Sequence, residues 1–167
     1  ATVRRDGTSR LANNNWGTFP AVSGGWRIDK EDFFDFGDKF SSFLLRASWG
    51  QTGNQQLPSY STVDSYSNNN NYSDYAIGGG QNVTATGLTQ TRVSNADLSW
   101  ETTTQRTIGV DLGFFNDKLN VTAEYYNKET NDILVYNVVP LTYGGTNDGQ
   151  WINDGQMKNH GFELDLN

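Results

Sequence analysis

Between Thr107 and Tyr126 apolar and polar side chains change places at almost every step. Ile108, Val110, Leu112 and Phe114 occupy one set of positions, and Thr107, Gly109, Asp111 and Gly113 the other. After a break at Asn116-Asp117-Lys118 the alternation resumes, with Leu119, Val121, Ala123 and Tyr125 against Asn120, Thr122, Glu124 and Tyr126. Side chains of an extended chain point alternately to opposite faces, so this pattern predicts a β-hairpin with one apolar and one polar face. The same spacing recurs at Phe43, Leu45, Ala47 and Trp49 against Leu44, Arg46 and Ser48. It appears again at Phe162, Leu164 and Leu166 against Gly161, Glu163 and Asp165. Weaker signals at 1–5 and at 18–28, where Val22 and Ile28 flank Trp26 at even spacing, bring the total to about six strands. No helical period is sustained; at most a helical turn is expected around Phe33-Phe34.

The connectors differ in kind. Those after 5, 50 and 139 are long and rich in Gly, Asn, Ser or Tyr, whereas those after 28 and 115 are shorter. A structureless stretch from Gly50 to about Asp97 is unusual inside a compact domain, so it reads as an elaborated surface loop that carries function. Long loops at one end and short turns at the other characterise an outer-membrane barrel. Arg46, Asp111, Glu124, Glu163 and Asp165 alternate with large apolar residues over strands of roughly 9–11 residues, enough to cross a bilayer at a tilt. Trp26, Trp49, Trp100, Phe114, Phe115, Tyr125 and Tyr126 gather near strand ends, as an interfacial girdle requires. A soluble carbohydrate-binding or structural β-sandwich, with aromatics filling its core, gives the same alternation. On pattern alone both architectures stand.

Composition narrows the field without closing it. The 167 residues are 35% hydrophobic and 13% aromatic, with 18 glycines. The mean hydropathy is −0.67. No run of about 18 or more apolar residues occurs, which excludes a transmembrane helix but not a barrel, whose lumen-facing residues lower the average. Cysteine is absent and His160 is the single histidine, so no metal site is expected, and no cofactor. A net charge of −7 argues against a nucleic-acid partner, which would require a basic stripe. The scattered carboxylates read as solvated or salt-bridged rather than catalytic, and "GGG" at 78–80 lacks the strand-to-helix setting of a nucleotide loop.

Four blocks then carry a resemblance. "ATVRRDGTSRLANNNWGTFPAVSGGWRI", "LLRASWGQTGNQ", "NADLSWETTTQRTIGVDLGFFNDKLNVTAEYYNKETNDIL" and "MKNHGFELDLN" resemble, in this order, the C-terminal barrel of SusC-like (SusC/RagA) TonB-dependent transporters. The resemblance covers nearly the whole chain apart from 54–94 and 137–154. It implies an all-β, antiparallel transmembrane β-barrel segment, about six strands of a barrel of about 22 whose lumen holds a plug. It also implies a non-enzymatic importer of oligosaccharides or peptides in the outer membrane of Gram-negative bacteria. A SusD-like surface lipoprotein would act as lid, TonB would supply energy through the N-terminal part, and pairs of transporters could form a dimer. On that template strands 1–5, 43–50 and 119–136 run outward and 18–28, 98–114 and 155–166 inward. The loops at 6–17, 51–97 and 137–154 are then extracellular, and the turns at 29–42 and 115–118 periplasmic. Ile108, Val110, Leu112 and Phe114 are expected to face lipid, and Arg46, Asp111, Glu124 and Glu163 the lumen. The chain opens and stops within strands and shows neither plug nor TonB box, so it is expected to be a partial barrel, 1–167, of a longer polypeptide.

The loop "YSTVDSYSNNNNYSDY" invites a sharper expectation. Aromatic rings stack on the apolar faces of sugars while amides meet their hydroxyls. Tyr60, Tyr66, Tyr72, Tyr75 and Trp151 are therefore candidates for contact with cargo or with the lid lipoprotein. Solvated polar loops of this composition are common, and nothing in the sequence separates carbohydrate from peptide.

Overall fold

A computed structural model describes residues 1–33, 40–68, 74–77, 84–140 and 149–167. Six long strands form one antiparallel sheet: β1 (Thr2–Gly7), β2 (Trp16–Arg27), β3 (Phe40–Asn54), β8 (Glu101–Phe114), β9 (Leu119–Asn131) and β12 (Gln156–Leu166). They lie side by side in the order β1-β2-β3-β8-β9-β12, each beside its predecessor among the long strands. The remaining strands are short and belong to loops. β4 (Ser65–Ser67) pairs with β7 (Thr89–Arg92), β5 (Asp74–Ala76) with β6 (Thr84–Thr86), and β10 (Leu134–Val138) with β11 (Gly149–Asn153).

Alternation is what makes the long strands, and the register preserves it. From Ser42↔Gly113 to Asn54↔Glu101 the β3–β8 ladder runs unbroken, with one irregularity between Phe40 and Ser42. The β8–β9 ladder is continuous from Thr102↔Asn131 to Phe114↔Leu119. The turn between them is tight because Phe115, Asn116 and Asp117 are all left-handed, with φ of 55°, 58° and 59°. Asn and Asp tolerate that region better than most residues, which explains the break in pattern there. Asp117 N–H donates to Ser41 Oγ at 3.0 Å and ties the turn back to β3.

Two expectations need correction. The strand expected over 119–136 is interrupted at Asp132 (φ 56°), and β10 leaves the sheet to pair with β11 inside the stretch expected to be loop. The β2–β3 connector at 28–39 is longer than the β1–β2 loop at 8–15, so loop length alone does not separate the two ends of the sheet. A 3-10 turn at Ile28–Lys30 precedes Phe33; Phe34, in the other half of the expected helical turn, lies outside the described residues.

Among the described residues only one buried apolar side chain, Phe19 on β2, belongs to the sheet; the rest of the core lies in the connectors. Leu11, Leu57 and Leu98 are 0–2% exposed and pack together with Trp100, Leu134 and Trp151. These residues come from three separate connectors and their flanks, all at the Gly7/Asn54/Glu101 end of the long strands.

Candidate functional site

Residues paired across an antiparallel ladder share a face, so the register alone sorts the side chains. One row reads Arg46↔Gly109↔Glu124↔Glu163. Asp111, two residues beyond Gly109, faces the same way. The four residues expected on the polar face are thus brought to one face, and three of them touch. Arg46 Nε donates to Asp111 Oδ2 at 3.1 Å, and its Nη1 lies 2.7 Å from Glu124 Oε2. Reaching β9 from β3 requires the arginine to cross β8, and residue 109 lets it pass. A Cβ built on Gly109 would stand 2.9 Å from Arg46 Cζ. Glu163 is exposed beside Glu124.

Ile108, Val110, Leu112 and Phe114 occupy the other face, paired across β9 with Tyr125, Ala123, Val121 and Leu119. This face is open: Ile108 is 60% exposed, Phe162 67% and Leu166 64%, and the described residues place no second layer over it.

The edge of the apolar band crosses the sheet obliquely. Val22, Trp49, Arg106, Asn127 and His160 share one register row on the apolar face. On β8, β9 and β12 the first polar residue above the band is in that row: Arg106, Asn127 and His160. On β3 it is Gln51, two residues higher. On β2 and β1 it is Thr18 and its partner Arg5, four residues above Val22. Four residues of rise over five interstrand steps is about 14 Å in about 24 Å, a slope of roughly 30°. Strands of a membrane barrel tilt by roughly 35–45°, so a flat apolar belt must cut the register at close to that angle.

At the loop end three connectors interlock. Asn14 Nδ2 donates to the Leu98 carbonyl, and Trp100 Nε1 to the Asn14 carbonyl at 3.0 Å. Asn153 bridges both backbone directions at Ser99, accepting from its N–H at 2.8 Å and donating to its carbonyl at 3.0 Å. Asp64 accepts from the Ser94 N–H, which holds its carboxyl below the usual carboxylate range. Trp151 lies against this cluster and meets Tyr136 edge-on at 5.6 Å. Tyr60 (φ 64°, 74% exposed), Tyr66 and Tyr75 project into solvent from the 55–100 connector; Tyr72 lies outside the described residues. Sequence reasoning missed the leucine cluster because isolated leucines in polar loops carry no period. No signal in the sequence separates Leu57 and Leu98 from Val63, Ile77 and Leu88 of the same connector, which are exposed.

Charged on one face, apolar and uncovered on the other, with an oblique band edge, the sheet is a stave of a membrane-spanning β-barrel. All of residues 1–167 match the family described as "TonB dependent receptor-like, beta-barrel", and the chain belongs to it. It is 34% identical over 99% of its length to TonB-dependent receptor SusC of Bacteroides thetaiotaomicron, covering 16% of that protein. It is also 34% identical to a TonB-dependent receptor of Formosa agariphila, over 99% of this chain and 15% of that one. The solved structure of the RagAB peptide transporter superposes with a TM-score of 0.78 at 32% identity, covering 98% of this chain and 17% of that chain. The chain therefore spans 15–16% of the length of these curated relatives.

Proposed function

We propose that this chain is part of the barrel of an outer-membrane, TonB-dependent nutrient importer of the SusC type. The whole protein takes up oligosaccharides or peptides, works with a SusD-like surface lipoprotein, draws energy from TonB through parts outside these residues, and is not an enzyme. Ile108, Val110, Leu112 and Phe114 meet lipid. Arg46, Asp111, Glu124 and Glu163 face the lumen, where they form a hydrophilic wall. Tyr60, Tyr66 and Tyr75 contact cargo or lid from the extracellular loops, while Trp151 holds the loops together. Two such transporters pair into a dimer. The observation that carries this reading is the uncovered apolar face with its oblique edge. A soluble sandwich needs a second layer there, and its core has no reason to slant.

The test compares two neighbouring substitutions in the full-length protein. Val110→Arg should oppose barrel assembly by about 2–4 kcal/mol, the cost of a lipid-facing arginine near midplane depth. Asp111→Asn should leave assembly nearly unchanged. The readout is the fraction of folded, heat-modifiable barrel in the outer-membrane fraction. A harmless Val110→Arg, or a block by Asp111→Asn alone, would reverse the facing. Recovery of the wild type without detergent in the soluble fraction would end the importer reading.

A further inference from the structure

The outward face is nearly free of charge except along one margin, and there the charge is positive. Among residues of the six long strands it carries Arg5, Arg106 and Lys158 against Glu129 alone, in a protein whose net charge is −7. All three cations stand at or just above the band edge, at the loop end of their strands. Lys158 Nζ is 3.3 Å from Glu129 Oε1 and is largely neutralised. Arg5 lies over the Trp16 ring, 4.9 Å from its centroid, which orients the guanidinium and leaves its charge uncompensated. Arg106 is exposed, and among the described residues it makes no ion pair. Its register neighbours are Trp49 on one side and Asn127 then His160 on the other, the histidine about 10 Å away across two strands. Carboxylates are instead concentrated on the opposite face.

A guanidinium held at the margin of an apolar belt, with an indole beside it, matches the head of an amphiphile whose tails lie on that belt. The geometry points to a binding site for an anionic, phosphate-bearing lipid of the extracellular leaflet. Arg106 is the phosphate contact, with Asn127 and His160 beside it as hydrogen-bond partners and the tails running down over Ile108 and Phe162. Arg5, three strands away and four residues higher, about 20 Å by the register, takes a second phosphate at the far end of the headgroup. Arginine suits this role because its planar fork meets phosphate oxygens two at a time. The inference rests on the outer-membrane reading above, which supplies the leaflet.

The experiment uses full-length protein extracted from outer membranes, delipidated in detergent and titrated with bisphosphorylated or dephosphorylated lipid A, read by native mass spectrometry. Wild type should prefer the phosphorylated lipid. The double substitution Arg5→Gln/Arg106→Gln should weaken that binding by about 25-fold, about fivefold per arginine, and leave the dephosphorylated lipid unaffected. Arg4→Gln, on the opposite face, should bind as wild type does. Equal affinity of wild type for the two lipids would overturn the proposal. So would an unchanged double variant, or full displacement by millimolar inorganic phosphate. Failure of the wild type to fractionate with outer membranes would instead overturn the importer reading beneath it.

Discussion

Glycine at position 109 is the reason one arginine can serve two carboxylates. The guanidinium passes over β8 through the space a side chain would fill, and so joins β3, β8 and β9 on their polar face. Side-chain exposures of 37%, 34% and 23% put the cluster between a screened surface pair and a buried one. Arg46→Met should therefore cost about 1–2 kcal/mol, more than an exposed pair, because Asp111 and Glu124 are left facing each other. Gly109→Ala should show a smaller loss, because the atoms it meets are the flexible end of Arg46, which can shift. In a double-mutant cycle the two losses should fail to add, which thermal unfolding of the barrel in detergent would reveal. The four charged positions were legible in the sequence from their alternation with apolar residues. The role of Gly109 was not, since a glycine in a strand looks the same whether it weakens the strand or clears a path.

Among elements, the 3-10 turn after β2 is bracketed by the edge contact of Trp26 with Phe33 and tied down by charge. Asp29 accepts from Arg27 Nε at 2.8 Å and Nη2 at 2.7 Å, and from the Phe43 N–H at 3.3 Å. The Arg27 contact first, and the Phe43 amide with it, keeps the Asp29 carboxyl well below the usual carboxylate range. A carboxylate with a depressed folded-state pKa stabilises fully above its unfolded value, and that stabilisation fades as acid protonates the folded form. The turn should thus stay closed through pH 4 and loosen only in stronger acid. Asp29→Asn should loosen it already at pH 7 and remove the dependence on acid. Amide exchange at Phe43, corrected for its intrinsic pH dependence, would report both. The long strands were legible because alternation persists over many residues. The nested β4–β7 and β5–β6 pairs were not, since they are three or four residues long and too polar to show a period, whereas β10 reads as strand but as a continuation of β9, so that only its pairing with β11 was hidden. Only Asp132, which is left-handed, and Ile133 separate β9 from β10, and so short a break gives little warning of it.

For the molecule as a whole, the oblique edge means that equal register is not equal depth. Val22 and His160 share a register row, yet Val22 lies inside the apolar band and His160 just above it. In the full-length protein in intact outer membranes, a membrane-impermeant maleimide should label His160→Cys, Gln51→Cys and Thr18→Cys but not Val22→Cys or Ile108→Cys. Labelling of Val22→Cys and His160→Cys alike would show the band running parallel to the register and would remove the tilt. At the other scale of organisation, the leucine cluster gathers residues 11, 57 and 98 under one roof with Trp100, Leu134 and Trp151. The exposed crown above it is consequently assembled from segments far apart along the chain. An antibody raised against the purified protein that grips this crown would read a shape contributed by three connectors at once. No linear peptide from any one of them would substitute for it, and sequence drift in one loop is answerable to the other two.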